Sequence, residues 1–273
     1  FRVESGLNCG GHAFATDGYL MGPILEEFKI KRDELIATLF DIYNKALAAK
    51  SFPTFSQPHP IKISAQGGIG TYEECALLHQ YYGIDSTGWG TPFLLVPEAT
   101  TVDDATLALL QNAKKPDIYL SKNSPLGVPF HYLKGTSSDL EKLKRIETGK
   151  PGSPCTEKHL VNNTEFTEEP ICTASLKYQK LKINYLQSLH LAPEKYEREV
   201  KNVLAKECLC IGLSNAASIK HEQPFLKNLP AVTICPGPNI AYFSKTVSLR
   251  EMTDHIYGRN NIMRDGSRPH VFI

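Results

Sequence analysis

The chain has 273 residues, of which 41% are hydrophobic and 22% charged, and its formal net charge is +1. This composition is ordinary for a globular protein, and a charge so close to zero gives no electrostatic footprint for nucleic acid or for an anionic membrane surface. No apolar run approaches the ~18 residues of a membrane span, and the first residues lack the basic-then-apolar pattern of a secretory leader. We therefore expect a cytoplasmic protein that binds neither nucleic acid nor membrane.

The first residues have the pattern of a strand that breaks into a glycine-rich turn. Arg2-Val3-Glu4-Ser5 is followed by Gly6-Leu7-Asn8-Cys9-Gly10-Gly11-His12, and glycine permits backbone conformations closed to other residues. From 23 to 50 the apolar residues recur at three- and four-residue steps, which predicts a helix. Because the chain opens inside a strand, we expect an upstream part of the fold to be missing.

The same order of strand, glycine turn and helix then recurs. Residues 61–65 are predicted as a strand before Gln66-Gly67-Gly68-Ile69-Gly70, and 71–82 as the helix that follows. A third strand over 84–89 leads into Gly90-Thr91, and 102–113 has helical periodicity. Three such units in succession predict an α/β protein with parallel strands.

After about residue 115 the chain no longer shows this repeat. Loops rich in proline and glycine separate shorter elements, and the polar stretch 149–169 has no clear periodicity. The pattern predicts strands over 117–120, 128–133, 208–213 and 231–235, and helices over 174–189, 193–206 and 248–257.

His12 stands out as a candidate catalytic residue. It follows the pair Gly10-Gly11 at the predicted carboxyl end of a strand, where barrel folds keep their sites. An imidazole titrates near neutral pH, which suits proton transfer. From the residues alone, a hydrogen-bonded histidine in a structural turn is the alternative.

The second and third glycine turns predict a phosphate site. Gln66-Gly67-Gly68-Ile69 and Gly88-Trp89-Gly90-Thr91 end consecutive predicted strands with one helix between them. Exposed N–H groups in glycine turns, together with a helix amino terminus, bind anions, and barrels often place a phosphate after their last two strands. Either turn alone is also compatible with a simple bend.

These motifs resemble a known enzyme family. The run from Gly6 to His12 resembles the Gly-x-Glu-Ala-Gly-Gly-His signature of nitronate monooxygenases, formerly called 2-nitropropane dioxygenases, and of related FMN-dependent enoyl-acyl-carrier-protein reductases. Ala65-Gln66-Gly67-Gly68-Ile69 is similar to the family's Ala-Ala-Gly-Gly-Ile segment. The run from Gly88 to Leu94, with Pro97-Glu98-Ala99 after it, resembles the Gln-Met-Gly-Thr-x-Phe and trailing Glu segment.

The resemblance implies a fold and a division of the chain. It covers 1–133, which would be the C-terminal portion of an FMN-binding (β/α)8 TIM barrel with about three βα units. Residues 134–273 would be a mixed α+β C-terminal extension of unknown role. The missing N-terminal half of the barrel is expected in the full-length protein, because three strands cannot close a barrel.

The resemblance also assigns roles to individual residues. It places His12 at the reactive edge of the flavin as base or proton donor, and the backbone of Gly10 and Gly11 beside the isoalloxazine. Ser5 and Trp89 would line the cofactor. The residues that would hold the FMN phosphate are Gly67, Gly68, Gly90 and Thr91.

The function implied is that of an FMN-dependent oxidoreductase, a flavoprotein that oxidises a small nitronate or related carbon acid with molecular oxygen. Asn8, Cys9 and Phe14 depart from the family pattern and leave the substrate open. One alternative is an enoyl-thioester reductase that uses NAD(P)H. Another is a flavin-free barrel fragment that acts as a binding module.

The cysteines beyond the barrel motifs leave a further question open. The chain has seven cysteines, an odd number without the spacing of a disulfide scaffold, so reduced thiols are expected. A metal or iron–sulfur site is one possibility, and buried free thiols are the other, because the paired Cys-x2-Cys spacing is absent. We assign no metal ligand on the sequence alone; the five cysteines concerned are Cys155, Cys172, Cys208, Cys210 and Cys235.

Overall fold

The computed structural model describes residues 1–4, 21–155, 157–223 and 226–266. Three short strands, β1 (Arg2–Glu4), β2 (Ser64–Gln66) and β3 (Ser86–Gly88), form a parallel sheet in the order β1-β2-β3. Strands that are neighbours in the chain are therefore neighbours in the sheet, as in a (β/α)8 barrel. This arrangement confirms the predicted fold class, α/β with about three βα units of a partial barrel.

The crossovers between these strands are helical, as predicted. The first holds α1 (Met21–Ile30) and α2 (Arg32–Ala49), so the predicted helix over 23–50 is interrupted at Lys31. The second holds α3 (Tyr72–Gln80). The strands and helices α1 and α3 enclose one apolar core; its buried residues are Val3, Met21, Leu25, Ile63, Ala65, Ile69, Cys75, Leu78 and Ile84.

Helix α2 differs from α1 and α3 because none of its residues is buried. Among its large apolar side chains, Ile42 and Tyr43 are exposed. Helices in globular proteins usually bury an apolar stripe against a neighbouring element. Helix α2 instead contacts the segment that follows it, where the Phe55 ring stacks on that of Tyr43 with 5.8 Å between the ring centres.

A short 3-10 helix, Thr91–Leu95, follows β3 and was not predicted. It precedes α4 (Asp104–Asn112), whose amino terminus is capped by Asp103, which accepts a hydrogen bond from Thr106 N at 3.0 Å. The predicted strands over 117–120 and 128–133 are confirmed as the antiparallel pair β4 (Ile118–Ser121) and β5 (Phe130–Leu133).

Helices dominate the rest of the chain. Helix α6 (Leu176–Ser188) agrees with the predicted helix over 174–189, and α7 (Pro193–Leu204) with that over 193–206. Helix α9 (Leu249–Ile256) agrees with the predicted helix over 248–257. A further 3-10 helix spans Pro238–Tyr242. The α-helices of this part are α5 (Ser137–Glu147), α6 (Leu176–Ser188), α7 (Pro193–Leu204), α8 (Leu209–Lys220) and α9 (Leu249–Ile256).

Two predictions for this part are wrong and one helix was missed. The predicted strand over 208–213 is the first half of α8, and 231–235 runs without strand pairing. A short apolar run is compatible with a buried helix as well as with a strand, and the polar residues that continue α8 conceal its period. Helix α5 was missed because it is strongly polar and buries no residue.

The second core joins the two parts of the chain. Buried residues before 133, such as Leu95 and Leu110, pack with residues far beyond it, such as Ile240, Phe243 and Met252. The boundary between 1–133 and 134–273 therefore crosses a continuous apolar cluster.

No helix of the described residues is both long and apolar enough to cross a membrane.

Candidate functional site

The register of the sheet aligns the carboxyl ends of its three strands. Glu4 pairs with Gln66 across β1 and β2, and Gln66 pairs with Gly88 across β2 and β3. Because the strands are parallel, the segments that follow β2 and β3 leave the sheet at the same edge. The predicted convergence of these two glycine turns is thus observed.

A polar contact joins the strand ends at this edge. The Gln66 amide Nε2 donates a hydrogen bond to Glu4 Oε1, while the other oxygen, Glu4 Oε2, is buried without a hydrogen-bond partner among the described residues. A Cβ atom at Gly88 would come within 2.5 Å of Gln66 Oε1. Glycine at 88 therefore leaves the space that the Gln66 side chain occupies.

The turn after β2 has the backbone that its glycines predict. Gly67 and Gly68 have φ angles of 90° and 74°, a region that side chains with a Cβ rarely adopt. The turn leads into α3, whose first turn is closed by a capping box between Thr71 and Glu74. Glu74 is buried and its Oε2 accepts hydrogen bonds from Gly70 N at 2.7 Å and Thr71 N at 3.1 Å.

This cap has a direct bearing on the predicted phosphate site. The first N–H groups of a helix are the donors that bind an anion. Just before α3, the amides of Gly70 and Thr71 already bind the carboxylate of Glu74. A carboxylate has a charge of the same sign as a phosphate. The assignment of the phosphate to Gly67 and Gly68 stays a prediction.

Trp89, at the end of β3, is held from two sides. Its indole Nε1 donates to Cys75 Sγ at 3.3 Å, and its ring meets the His255 ring edge to face, with 5.8 Å between the ring centres. His255 is itself buried, and its Nε2 lies 2.9 Å from Gly70 O. A residue of α9 thereby connects the turns that follow β2 and β3.

The C-terminal part of the chain forms hydrogen bonds with the turns that follow β2 and β3, which the sequence did not predict. Gly237 N donates to Thr91 Oγ1 at 2.8 Å, and Asn239 Nδ2 donates to Ile69 O at 3.2 Å. The contacts span about half of the chain, so no local pattern could have indicated them. The predicted extension is part of the wall of the site.

A cavity of about 550 Å³ opens beside these turns. Gln66, Trp89, Gly90 and Thr91 line one side of it, and residues of α8 and of the segment after it line another. None of the lining side chains from the described residues is charged. The volume is within the usual range for organic ligands, and apolar walls with a few polar groups are typical of such pockets.

Several lining residues were not singled out as site residues from the sequence. Gln66 was quoted only as part of a turn, and Thr233 was placed in a predicted strand. Thr233 is fully buried, and its hydroxyl has no hydrogen-bond partner among the described residues. The remaining lining residues are Leu94, Thr100, Thr101, Val102, Leu213, Ala216, Ile234 and Cys235.

The groups that line the cavity fit the isoalloxazine ring of the predicted cofactor better than its phosphate. A neutral cavity with an aromatic ring, amide and hydroxyl groups suits the flat, uncharged isoalloxazine ring. In the described part of the chain no cation lines this cavity to balance a phosphate, and Gly67 and Gly68 lie outside its lining. Trp89, Gly90 and Thr91 line the cavity, and their role as cofactor-binding residues stays a prediction.

The other predicted residues lie outside the described part of the chain. They are Ser5, Gly10, Gly11 and the candidate base His12, all of which fall between β1 and α1. Their assigned roles stay predictions. Among the described residues, no group of three or more His, Cys, Asp or Glu side chains has the arrangement of a metal centre.

The protein is thus of the mixed α/β class, with a cavity of about 550 Å³ beside the carboxyl ends of β2 and β3. No family model matches the chain. No curated protein matches it either.

Solved structures show weak overall similarity. One is the enoyl reductase domain of MlnA from the macrolactin biosynthesis cluster of Bacillus amyloliquefaciens, at 16% identity and a TM-score of 0.42, over 88% of this chain and 49% of that one. Another is FabK from Thermotoga maritima, at 14% identity and a TM-score of 0.37, over 74% of this chain and 44% of that one. The chain thus spans about half the length of these proteins. At these TM-scores the similarity carries no inference about activity.

Proposed function

We propose that the protein is an FMN-dependent oxidoreductase whose flavin ring lies in the cavity at the ends of β2 and β3. The observation that carries the proposal is the convergence of Gln66, Trp89, Gly90 and Thr91 on a neutral cavity of about 550 Å³. These residues belong to the motifs that resemble the nitronate monooxygenase family, and their sequence order alone did not require them to meet.

Bound FMN would supply the redox chemistry, as flavins do in other enzymes. The side chains of this chain would position the ring and exclude water from it. Trp89 has a fixed orientation at the wall, Gly90 lets the backbone approach, and the Thr91 hydroxyl is oriented by its hydrogen bond with Gly237 N. We propose that a preceding segment supplies the rest of the barrel.

The first substrate class follows from the resemblance: a small nitronate or related carbon acid, oxidised with molecular oxygen. His12 would remove the α-proton from a neutral nitroalkane. Exchange of His12 for alanine should then reduce turnover of the neutral nitroalkane far more than turnover of its preformed anion. Equal losses on the two substrates would rule out the base role.

The second candidate is reduction of an enoyl thioester with NAD(P)H. One specific observation favours it: among the described residues, the cavity lining has no charged side chain. A neutral alkene needs no counter-charge, whereas a nitronate anion in a site of low polarity does. A flavin-free binding module is the non-enzymatic alternative.

An absorbance spectrum of the purified protein separates these functions. We expect bound flavin, or uptake of added FMN. Anaerobic addition of a nitronate should bleach the flavin if the first substrate class is correct, and NADH or NADPH should bleach it rapidly if the second is. A protein that neither contains nor takes up FMN would contradict both enzymatic functions and favour the binding module.

A further inference from the structure

The last side chains of β1 and β2 point to the same face of the parallel sheet. Val3 and Ala65 are buried in the core that includes α1 and α3, and successive side chains of a strand point to opposite faces. Glu4 and Gln66, which follow Val3 and Ala65, therefore point away from these helices. In a (β/α)8 barrel the face away from the helices is the barrel interior.

The Gln66 side chain spans the sheet edge from β1 to β3. Its Nε2 donates a hydrogen bond to Glu4 Oε1. Its Oε1 lies beside Gly88, where a Cβ atom would come within 2.5 Å of it. The register of the sheet pairs Gln66 with both residues, and the missing side chain at Gly88 gives the Gln66 carbonyl its space.

The chemistry of Glu4 determines which end of the Gln66 amide faces it. A carboxylate has hydrogen-bond acceptors and no donor, so only the NH₂ group of Gln66 can bind it. Glu4 Oε1 also accepts a hydrogen bond from the Arg2 guanidinium at 3.4 Å. The Gln66 carbonyl is therefore turned away from Glu4, and no donor among the described residues binds it.

Gln66 and Thr91 both line the cavity of about 550 Å³, and they offer it complementary hydrogen-bonding groups. Thr91 Oγ1 accepts a hydrogen bond from Gly237 N at 2.8 Å, so its hydroxyl hydrogen can be donated to a ligand. The Gln66 carbonyl can only accept. The two residues together suit a ligand edge on which an N–H group stands beside a carbonyl.

We propose that Gln66 determines ligand specificity in this cavity: its carbonyl, oriented by Glu4, accepts a hydrogen bond from an N–H group at the edge of the bound ring. The assignment rests on the proposed function, since the isoalloxazine ring of FMN has such an edge, with its N3–H between two carbonyl groups. Glu4 is then a positioning residue that acts on the ligand through Gln66. The family segment that 65–69 resembles has alanine at this position, so the resemblance assigned no role to Gln66.

The fixed orientation of the amide makes the contact selective. A ligand without the N–H group would cover the Gln66 carbonyl and leave it without a donor, and a buried acceptor without a partner is unfavourable. The amide cannot turn over to adapt, because its carbonyl would then face the acceptors of Glu4. Sites built to bind a polar group in this way reject analogues that lack it.

Titration of the full-length chain with FMN and with N3-methyl-FMN, followed by flavin fluorescence, tests the assignment. Methylation removes the N–H group and leaves the rest of the ring unchanged. The parent protein should bind FMN about tenfold more tightly than the methylated flavin, and Gln66→Leu should bind the two about equally. The matched control is Gln80→Leu, the same exchange at an exposed residue of α3, which should keep the preference of the parent protein.

Glu4→Gln tests the positioning role and covers the case in which Gln66→Leu does not fold. A glutamine at 4 can donate as well as accept, so it no longer determines how the Gln66 amide lies. FMN should still bind, and its advantage over N3-methyl-FMN should fall by roughly threefold or more. A general loss of stability would weaken both flavins alike and leave the ratio of their affinities unchanged.

The outcomes separate this assignment from the proposed function. Equal affinities of the parent protein for the two flavins, or an unchanged preference in Gln66→Leu, would overturn the role of Gln66 while FMN binding stands. An unchanged preference in Glu4→Gln would overturn the positioning role of Glu4. A parent protein that binds neither flavin would overturn both the assignment and the proposed function.

Discussion

Trp89 is oriented before any ligand arrives, because Cys75 and His255 hold its ring from two directions. A preorganised aromatic side chain loses little conformational freedom when a ligand packs against it. In the proposed site, this indole would form one wall for the flavin ring. Its contribution to binding can be measured separately from the rest of the site.

Trp89→Leu should weaken FMN binding by roughly tenfold, since an aromatic contact contributes about 0.5–1.5 kcal/mol beyond its buried area. Titration of the protein with FMN, followed by flavin fluorescence, gives the dissociation constants. The matched control is Phe52→Leu, which alters an exposed aromatic residue away from the cavity. Equal FMN affinities for the two variants would show that Trp89 does not contribute to FMN binding.

Single residues were predictable where local chemistry determines them. Gly67 and Gly68 have the positive φ angles that a glycine pair favours, and Trp89, Gly90 and Thr91 line the cavity. Glu4 could not be recognised, because its contact with Gln66 depends on the strand register. Thr233 could not be recognised either, because its position depends on how its segment packs against α8.

At the scale of elements, α8 shows how packing decides what an apolar run becomes. Gly212 in α8 lies against the segment that follows, and a Cβ atom there would come within 2.5 Å of Thr233 Oγ1. Gly212 O also accepts a hydrogen bond from Thr233 N at 3.0 Å. The close approach leaves no space for a side chain at this position.

Gly212→Ala should therefore lower the free energy of unfolding by on the order of 1 kcal/mol, because the overpacking exceeds the gain in helix propensity. Urea denaturation measures the change. Ser214→Ala on the exposed face of α8 is the control and should change stability by less than about 0.5 kcal/mol.

A double substitution identifies the source of this loss. Combining Gly212→Ala with Thr233→Ala removes the side chain that the new methyl group would meet, so the two effects should not be additive. Additive losses would show that the contact with Thr233 is not the cause.

The order of elements was largely predictable, and their mutual contacts were not. The strands β1 to β5 and helices α3, α4, α6, α7 and α9 follow from periodicity and glycine turns. The run 208–213 was mispredicted because β-branched and apolar residues fit a buried helix as well as a strand. The backbone pairing of Ser153 with residues 174–176 has no signature in the local sequence.

For the whole molecule, the continuous apolar cluster across residue 133 makes the two predicted domains interdependent. Leu95 and Leu110 are almost fully buried by neighbours that include Ile240, Phe243 and Met252. Without the extension, this face would be exposed to water, at a cost of about 25 cal/mol for each Å² of apolar area.

A fragment of residues 1–133 should accordingly fail to unfold cooperatively and should bind a hydrophobic dye. Thermal unfolding monitored by circular dichroism, with the full chain as control, tests this expectation. A cooperative transition in the fragment would show that the boundary separates independent folding units.

If the proposed flavin binds, the carboxylate of Glu74 has a consequence for which form of the flavin is preferred. The amides of Gly70 and Thr71, just before α3, already donate hydrogen bonds to this carboxylate. They would therefore contribute little to the binding of a phosphoryl group. Riboflavin and its phosphate ester should then differ only modestly in affinity, with recognition concentrated on the tricyclic ring.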